Sequence, residues 1–307
     1  MSKQLIINCD DFGQSSAMNQ AIIALLEEKK VSSATIMTPA PGFEEAAAWC
    51  AKHRPANVGL HLTMTSEFAA LRWKSLTGSA SLHDRSGYQY QTVKELEQRA
   101  KTRAVLREMD AQYVQLKRVG IKISHIDNHM GSLYGVETGR SLLPQTLWKC
   151  ARWGLPFRFF RYIAPSDPLL GALPNIERPV ARVVALADVL GVAIPDYLLS
   201  HPFHIQEGET YESFKQSLIE KMYDLPEGIS ETYFHPGVED TWMQANIPDW
   251  TKRVWEYRLL KDDDFAYALR DGKVVLTSYQ ELKKLNNKQS RPSKWRAAGR
   301  LLRELVR

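Results

Sequence analysis

Four short stretches of the chain carry side chains that could do chemistry together. Asp10 and Asp11 stand side by side after the apolar run Lys3–Cys9. His61 lies in the run VGLHL at 58–62. His125, Asp127 and His129 share the stretch HIDNH, two histidines with a carboxylate between them. His235 ends the run TYFH and precedes Pro236-Gly237, a forced turn. Two adjacent carboxylates in apolar surroundings repel, and holding both ionised needs a cation. One carboxylate with two imidazoles from separate strands makes a facial three-ligand set with positions open to water and substrate, as catalytic metal sites have. The second carboxylate is then free to act as a base on metal-bound water. Asp127 can orient an imidazole from behind. Each feature alone has a plainer reading. Asp11 could cap the next helix, His61 and His235 could be hydrogen-bonded core residues, and residues 125–129 a polar turn. Their coincidence at four strand ends favours a metal site.

For these residues to meet, their segments must end at one place. The pattern alternates strand and helix. Strands are expected over Lys3–Cys9, Val31–Met37, Asn57–Thr63, Ile121–Ile126, Pro156–Phe160, Glu231–Phe234 and Lys273–Leu276. Ser15 or Ser16 can cap a helix with Met18, Ile22, Leu25 and Leu26 on one face. Further helices are expected over Gly42–His53, a long Thr92–Val119, Leu142–Trp153, Val180–Leu190, Phe214–Tyr223, Trp250–Lys261 and Tyr279–Leu285. Alternation of this kind implies a parallel sheet with helices outside. Seven or eight units predict an α/β fold of the (β/α) barrel kind, closed or nearly closed, with an open doubly wound sheet as competitor. Neither a GxGxxG after the first strand nor a GxxxxGK[ST] is present, so nucleotide cradles are missing. Every candidate residue then sits at a C-terminal strand end, where α/β barrels carry their active sites. A Pro-rich stretch predicts a loop and helix excursion around 160–205. Thr63–Thr92 reads as a long loop, a feature usually functional or mobile.

The chain has 307 residues, 44% of them hydrophobic and 24% charged, which is ordinary globular composition. That length suits one barrel over residues 1–285. No apolar run approaches the ~20 residues of a membrane helix. The start shows no signal-peptide pattern, and Cys9, Cys50 and Cys150 form no CxxC. Together these lead to an expected cytoplasmic location. The net charge is +5, but Lys283–Arg307 holds nine Lys/Arg against Glu304 alone. The body is therefore mildly acidic, and no nucleic-acid partner is expected. Residues 286–307 form a basic tail, with Trp295, Ala298, Leu302 and Leu305 on one helical face. Packing on the body or on another subunit, or a solvated tail, is favoured for it over contact with anionic lipid.

The stretch Asn8-Cys9-Asp10-Asp11-Phe12-Gly13 resembles the signature of the YdjC/ChbG family of carbohydrate deacetylases. Gly59–Thr63 (GLHLT), His125–His129 (HIDNH) and His235–Gly237 (HPG) resemble its other landmarks, in order, across about the first 240 residues. The family often has more histidines after HxDxH, where this chain has Met130-Gly131-Ser132. The family is similar to polysaccharide deacetylases, with a β/α-barrel-like fold. The resemblance implies removal of acetyl groups from N-acetylated sugars such as chitin oligosaccharides, with a divalent metal. Carried onto this chain, it makes Asp11, His61 and His125 the metal ligands, Asp10 the general base, and His235 the acid or an oxyanion partner.

On that reading Asp127 and His129 support the ligands or touch substrate. Arg158 orients a carboxylate or binds a charged substrate group. Trp73 and Trp242, on loops after chemistry-bearing strands, are candidates to stack on sugar rings. The metal is expected to be Mg or Zn, since two imidazoles suit zinc whereas Mg²⁺ prefers oxygen ligands. A homodimer is the default expectation for assembly. The competing functions are a metal hydrolase of another bond, such as a phosphoester, and a silent metal-dependent sugar binder. A metal-free glycosidase would leave the histidines unexplained.

Overall fold

A computed structural model describes residues 2–164, 167 and 176–288. The strands are β1 (Lys3–Phe12), β2 (Ser33–Ile36), β3 (Val58–Leu62), β4 (Ile126–Asn128), β5 (Tyr197–Leu199), β6 (Gly228–Phe234) and β7 (Val275–Leu276). All pair in parallel, in the order β4-β3-β2-β1-β6-β5, with β7 beside the start of β1. This is the expected α/β architecture: a curled parallel sheet flanked by helices. Pro156–Arg158 carries the curl onward from β4. Ile126 N–H donates to the Pro156 carbonyl at 3.0 Å, and Arg158 N–H to the Ile126 carbonyl at 2.9 Å. Phe157 N–H then reaches the Ala193 carbonyl at 3.0 Å, and Asp196 N–H the Ile229 carbonyl at 2.8 Å. Backbone bonds thus run nearly round the ring, although Pro156–Phe160 contributes a single bridge, Phe157 to Ile126, in place of the expected strand. The described part of the 160–205 excursion includes β5, which belongs to the sheet.

Period-2 alternation divides β1 between two environments. Leu5, Ile7 and Cys9 join the main core with Ile22 and Leu25 of helix α1 (Ser16–Glu27). Ile6 instead packs with Ile229, Ala193, Tyr279 and Leu282. Tyr279 and Leu282 come from the helix Tyr279–Lys288, which therefore closes the floor of the barrel. Above that floor the interior is polar, and those side chains build the site.

Among the described residues the remaining α-helices are α2 (Phe43–His53), α3 (Val93–Arg99), α4 (Thr102–Arg118), α5 (Leu143–Trp153), α6 (Glu177–Leu190), α7 (Tyr211–Tyr223), α8 (Thr241–Asn246), α9 (Trp250–Lys261), α10 (Asp263–Asp271) and α11 (Tyr279–Lys288). The long helix expected over Thr92–Val119 is two helices. In an unbroken helix the Lys101 N–H would bond the Glu97 carbonyl. It goes instead to Ser81 Oγ, and Arg140 Nη1 takes the Glu97 carbonyl at 2.6 Å. The 63–92 loop is pinned to α4, whose buried Glu108 accepts the N–H groups of Leu76 and Thr77, each at 2.9 Å. Among the described residues no helix is long and apolar enough to cross a membrane. Most of the basic tail, from residue 289 on, lies outside the described residues.

Candidate active site

The Asp10-Asp11 pair depends on an irregularity in β1. Cys9 pairs with Ala34 and Phe12 with Ile36, so three steps on β1 span two on β2. This is a bulge, and Asp11 absorbs it at φ 61°. Neighbours on a regular strand face opposite ways, whereas here both carboxylates reach the interior. Asp10 accepts from Arg158 through both oxygens, at 2.6 and 2.7 Å, and from Asn8 Nδ2 at 2.8 Å. The Arg158 Nε–H donates to Glu231 at 2.9 Å, and Nη2 lies 3.1 Å from Asp127. Tyr279 donates its hydroxyl to the other Glu231 oxygen.

Three donor atoms converge beside this clamp. Asp11 Oδ1 lies 3.3 Å from His61 Nε2 and 3.1 Å from His129 Nδ1. The other nitrogen of each ring is already committed. His61 Nδ1 lies 2.7 Å from Asp127, and His129 Nε2 2.7 Å from Glu67. Thr35 donates to Asp127 at 2.7 Å. Asp11 Oδ1 is buried and accepts no hydrogen bond of good geometry. Two imidazoles with one free nitrogen each, aimed at one orphaned carboxylate oxygen, fit a divalent cation.

The electrostatics agree with a site built for positive charge. Burial opposes ionisation of Asp11, yet the neighbouring His129 and His61 hold its carboxyl well below the usual range. Burial likewise opposes the imidazolium forms, but Asp127 and Asp11 push His61 up to about 10, and Glu67 and Asp11 push His129 up to about 9. A cation would take the place of those protons. Burial drives Glu231 up to about 7 against the pull of Arg158 and the Tyr279 hydroxyl.

His125 is not part of this group, contrary to the ligand set expected from the sequence. Its ring stacks on Tyr279 at 3.9 Å, Nδ1 lies 2.8 Å from Ser124 Oγ, and burial lowers it to about 3. A Cβ at Gly59 would lie 2.6 Å from this ring, so only glycine fits opposite it. His125 and His129 face the same way at strand period, but His129 stands two pleats higher, at the mouth.

His235 Nε2 lies 3.9 Å from Asp10 Oδ2. Its backbone N–H donates to Glu256, which also holds His201 Nε2 at 2.9 Å. Burial lowers the His235 pKa, against the pull of Asp11, Glu256 and Asp10. Arg253 Nη1 approaches Asp11 Oδ2 at 3.5 Å. Trp73 is only 3% exposed, with its N–H on Gln89 at 2.9 Å, and so offers no open face for stacking. Trp242, on α8, is 39% exposed. Phe203 is 45% exposed, and its ring stands 5.3 Å from His235.

Sequence reasoning passed over Asn8, Thr35, Glu67, Glu231, Glu256 and Tyr279. A signal existed for three of them. Asn8, Thr35 and Glu231 are buried polar residues inside strands, and each bonds a candidate: Asn8 to Asp10, Thr35 to Asp127 and Glu231 to Arg158.

The sequence matches the family profile described as "YdjC-like protein" over residues 4–271. It is 32% identical over 271 residues to a carbohydrate deacetylase of Thermus thermophilus, covering 87% of this chain and 89% of that one. It is 24% identical over 287 residues to a chitooligosaccharide deacetylase of Enterobacter sp., covering 92% and 100%. A solved structure from Enterococcus faecalis V583, provisionally titled a cellobiose-phosphate cleavage protein, superimposes with a TM-score of 0.72 at 27% identity, over 92% of this chain and 99% of that one.

Proposed function

This chain belongs to the YdjC-like family, and on that premise we propose that it is a metal-dependent hydrolase that removes acetyl groups from N-acetylated amino sugars or their oligosaccharides. The observation that carries the reading is the convergence of Asp11 Oδ1, His61 Nε2 and His129 Nδ1 beside an Asp10 carboxylate clamped by Arg158. Those three side chains would hold the cation, and two nitrogens with one oxygen suit a borderline ion such as Zn²⁺ better than Mg²⁺. When bound, such an ion polarises an amide carbonyl and lowers the pKa of water at the site.

The chain's own groups supply the rest. Asp10 accepts the proton of the attacking water. The bidentate clamp keeps both its oxygens in one orientation, so the base is aimed before substrate arrives. Asp127 and Glu67 keep His61 and His129 in the tautomers that leave Nε2 and Nδ1 free. His235, whose Nε2 lies 3.9 Å from Asp10 Oδ2, delivers a proton to the leaving amine. Negative charge growing beside this buried ring raises its affinity for the proton. A glycosidase built on Asp10 and Asp127 would leave the paired imidazoles of His61 and His129 without a role.

The test is acetate release from N,N′-diacetylchitobiose by the full chain, stripped of metal and then reloaded. Release that depends on added Zn²⁺ or Mg²⁺ is expected. Tight cation binding without acetate release would turn the reading toward another bond. Absence of both would sink the site.

A further inference from the structure

We infer that Glu231 and Tyr279 are positioning residues for the base: they hold Arg158 from the barrel floor and, through it, the Asp10 carboxylate. The inference rests on the reading of Asp10 as the base.

The argument begins with the guanidinium. It is planar, with two Nη groups on one edge and Nε on another. Asp10 takes the Nη edge through both oxygens. That contact alone leaves the pair free to pivot together. The Nε–H to Glu231 fixes the second edge, and with it the plane of the fork. Charge balance does not require Glu231, because Asp10 and Asp127 already surround one guanidinium. A completely buried third carboxylate is costly, and an apolar replacement of matched shape would often be no less stable. Its gain is therefore in geometry.

Glu231 needs its own anchor, and Tyr279 supplies it. The hydroxyl serves the oxygen that Arg158 leaves free. The tyrosine is 1% exposed, its ring stacks on His125 within 10° of parallel, and Ile6 and Ile229 pack around it. Tyr279 opens α11. A C-terminal helix that plugs the floor thus sets the orientation of a group at the mouth. This also gives His125 a role in place of cation binding, as the platform that fixes the tyrosine ring.

The test uses the full chain with Glu231→Gln and Tyr279→Phe, each alone and with Asp10→Asn. Glu231→Gln should lower kcat by about 10²-fold, the size of effect that ångström-scale misplacement of a reacting group produces. KM and the Zn²⁺ Kd should not change. Tyr279→Phe should act in the same direction and less strongly. In the Asp10→Asn background both changes should alter the residual rate by less than about threefold, because a group acting through Asp10 has nothing left to orient. Equal factors in both backgrounds, or wild-type kcat in both variants, would overturn the inference.

A second readout needs no substrate and keeps this inference separate from the proposed activity. In ¹⁵N-arginine NMR, Arg158 should show a resolved, slowly exchanging Nε–H signal from its bond to Glu231, assigned with Arg158→Lys. That signal should shift and exchange faster in both variants, and unchanged spectra would count against the idea even if acetate release were never seen. Should Glu231→Gln fail to fold, Tyr279→Phe keeps the stacked ring and carries both measurements.

Discussion

His61 and His129 present different ring nitrogens to the same carboxylate oxygen, and each is backed by a different acid. That asymmetry separates the residues that would set cation affinity from those that would set turnover. Asp10 has both oxygens committed to Arg158 and Asn8 and is not one of the three side chains that converge at Asp11 Oδ1. Asp10→Asn should therefore keep Zn²⁺ binding by calorimetry while kcat falls by about 10²–10⁴-fold, the usual range for losing a general base. Full activity in that variant would remove Asp10 from the role. Glu67 touches His129 but none of the proposed reacting atoms. Glu67→Gln should weaken Zn²⁺ binding by about 10–100-fold, as is typical for the partner of a ligating imidazole. An unchanged Kd would show that the 63–92 loop has no part in holding the cation. The sequence brought Asp11 and His61 into view, but it could not choose between His125 and His129. Spacing gives the face of a strand, whereas the choice depends on height in the barrel. Tyr279, which holds His125 low, lies 154 positions further along the chain.

At the level of elements, most strands and helices were legible because an α/β barrel repeats one local pattern, apolar strand and amphipathic helix, although β5, α8 and α10 were not expected and Pro156–Phe160 supplies only a bridge. Details fixed by tertiary contacts were not. The break between α3 and α4 depends on Ser81 and Arg140, which no helical periodicity announces. The bulge in β1 is equally silent in composition, since Asp11 at φ 61° looks like any strand-end aspartate. Gly59 of β3 shows how closely neighbouring strands constrain the interior. Its missing Cβ is where the His125 ring rests, held in turn against Tyr279. Gly59→Ala should push that stack and cost about 1–3 kcal/mol, the range for overpacking a well-filled interior. Urea denaturation of the purified variant measures it, and a loss below about 0.5 kcal/mol, the ordinary scatter of neutral surface changes, would mean the ring has room to move.

Across the whole molecule, the polar interior ties distant parts of the chain together, and Glu256 of α9 is a clear instance. It is 2% exposed and accepts from His201, from the segment after β5, and from the backbone N–H that follows β6. Burial opposes its charge, but His201, His235 and the backbone bond hold its pKa below the ordinary value. The sign follows directly. A carboxyl whose folded pKa is depressed binds protons more readily when unfolded. Its stabilising contribution is present above the unfolded value of about 4.3 and is lost as pH falls through the folded value. Glu256→Gln cannot titrate, so it lacks this contribution at every pH. The stability gap between wild type and Glu256→Gln should therefore be widest at pH 6–7 and narrow steadily as the pH is taken down toward about 3. Denaturant titrations of both proteins across that range give the gap directly. A gap that stays constant with pH would mean that Glu256 stabilises through shape and hydrogen bonding alone, with no contribution from its charge.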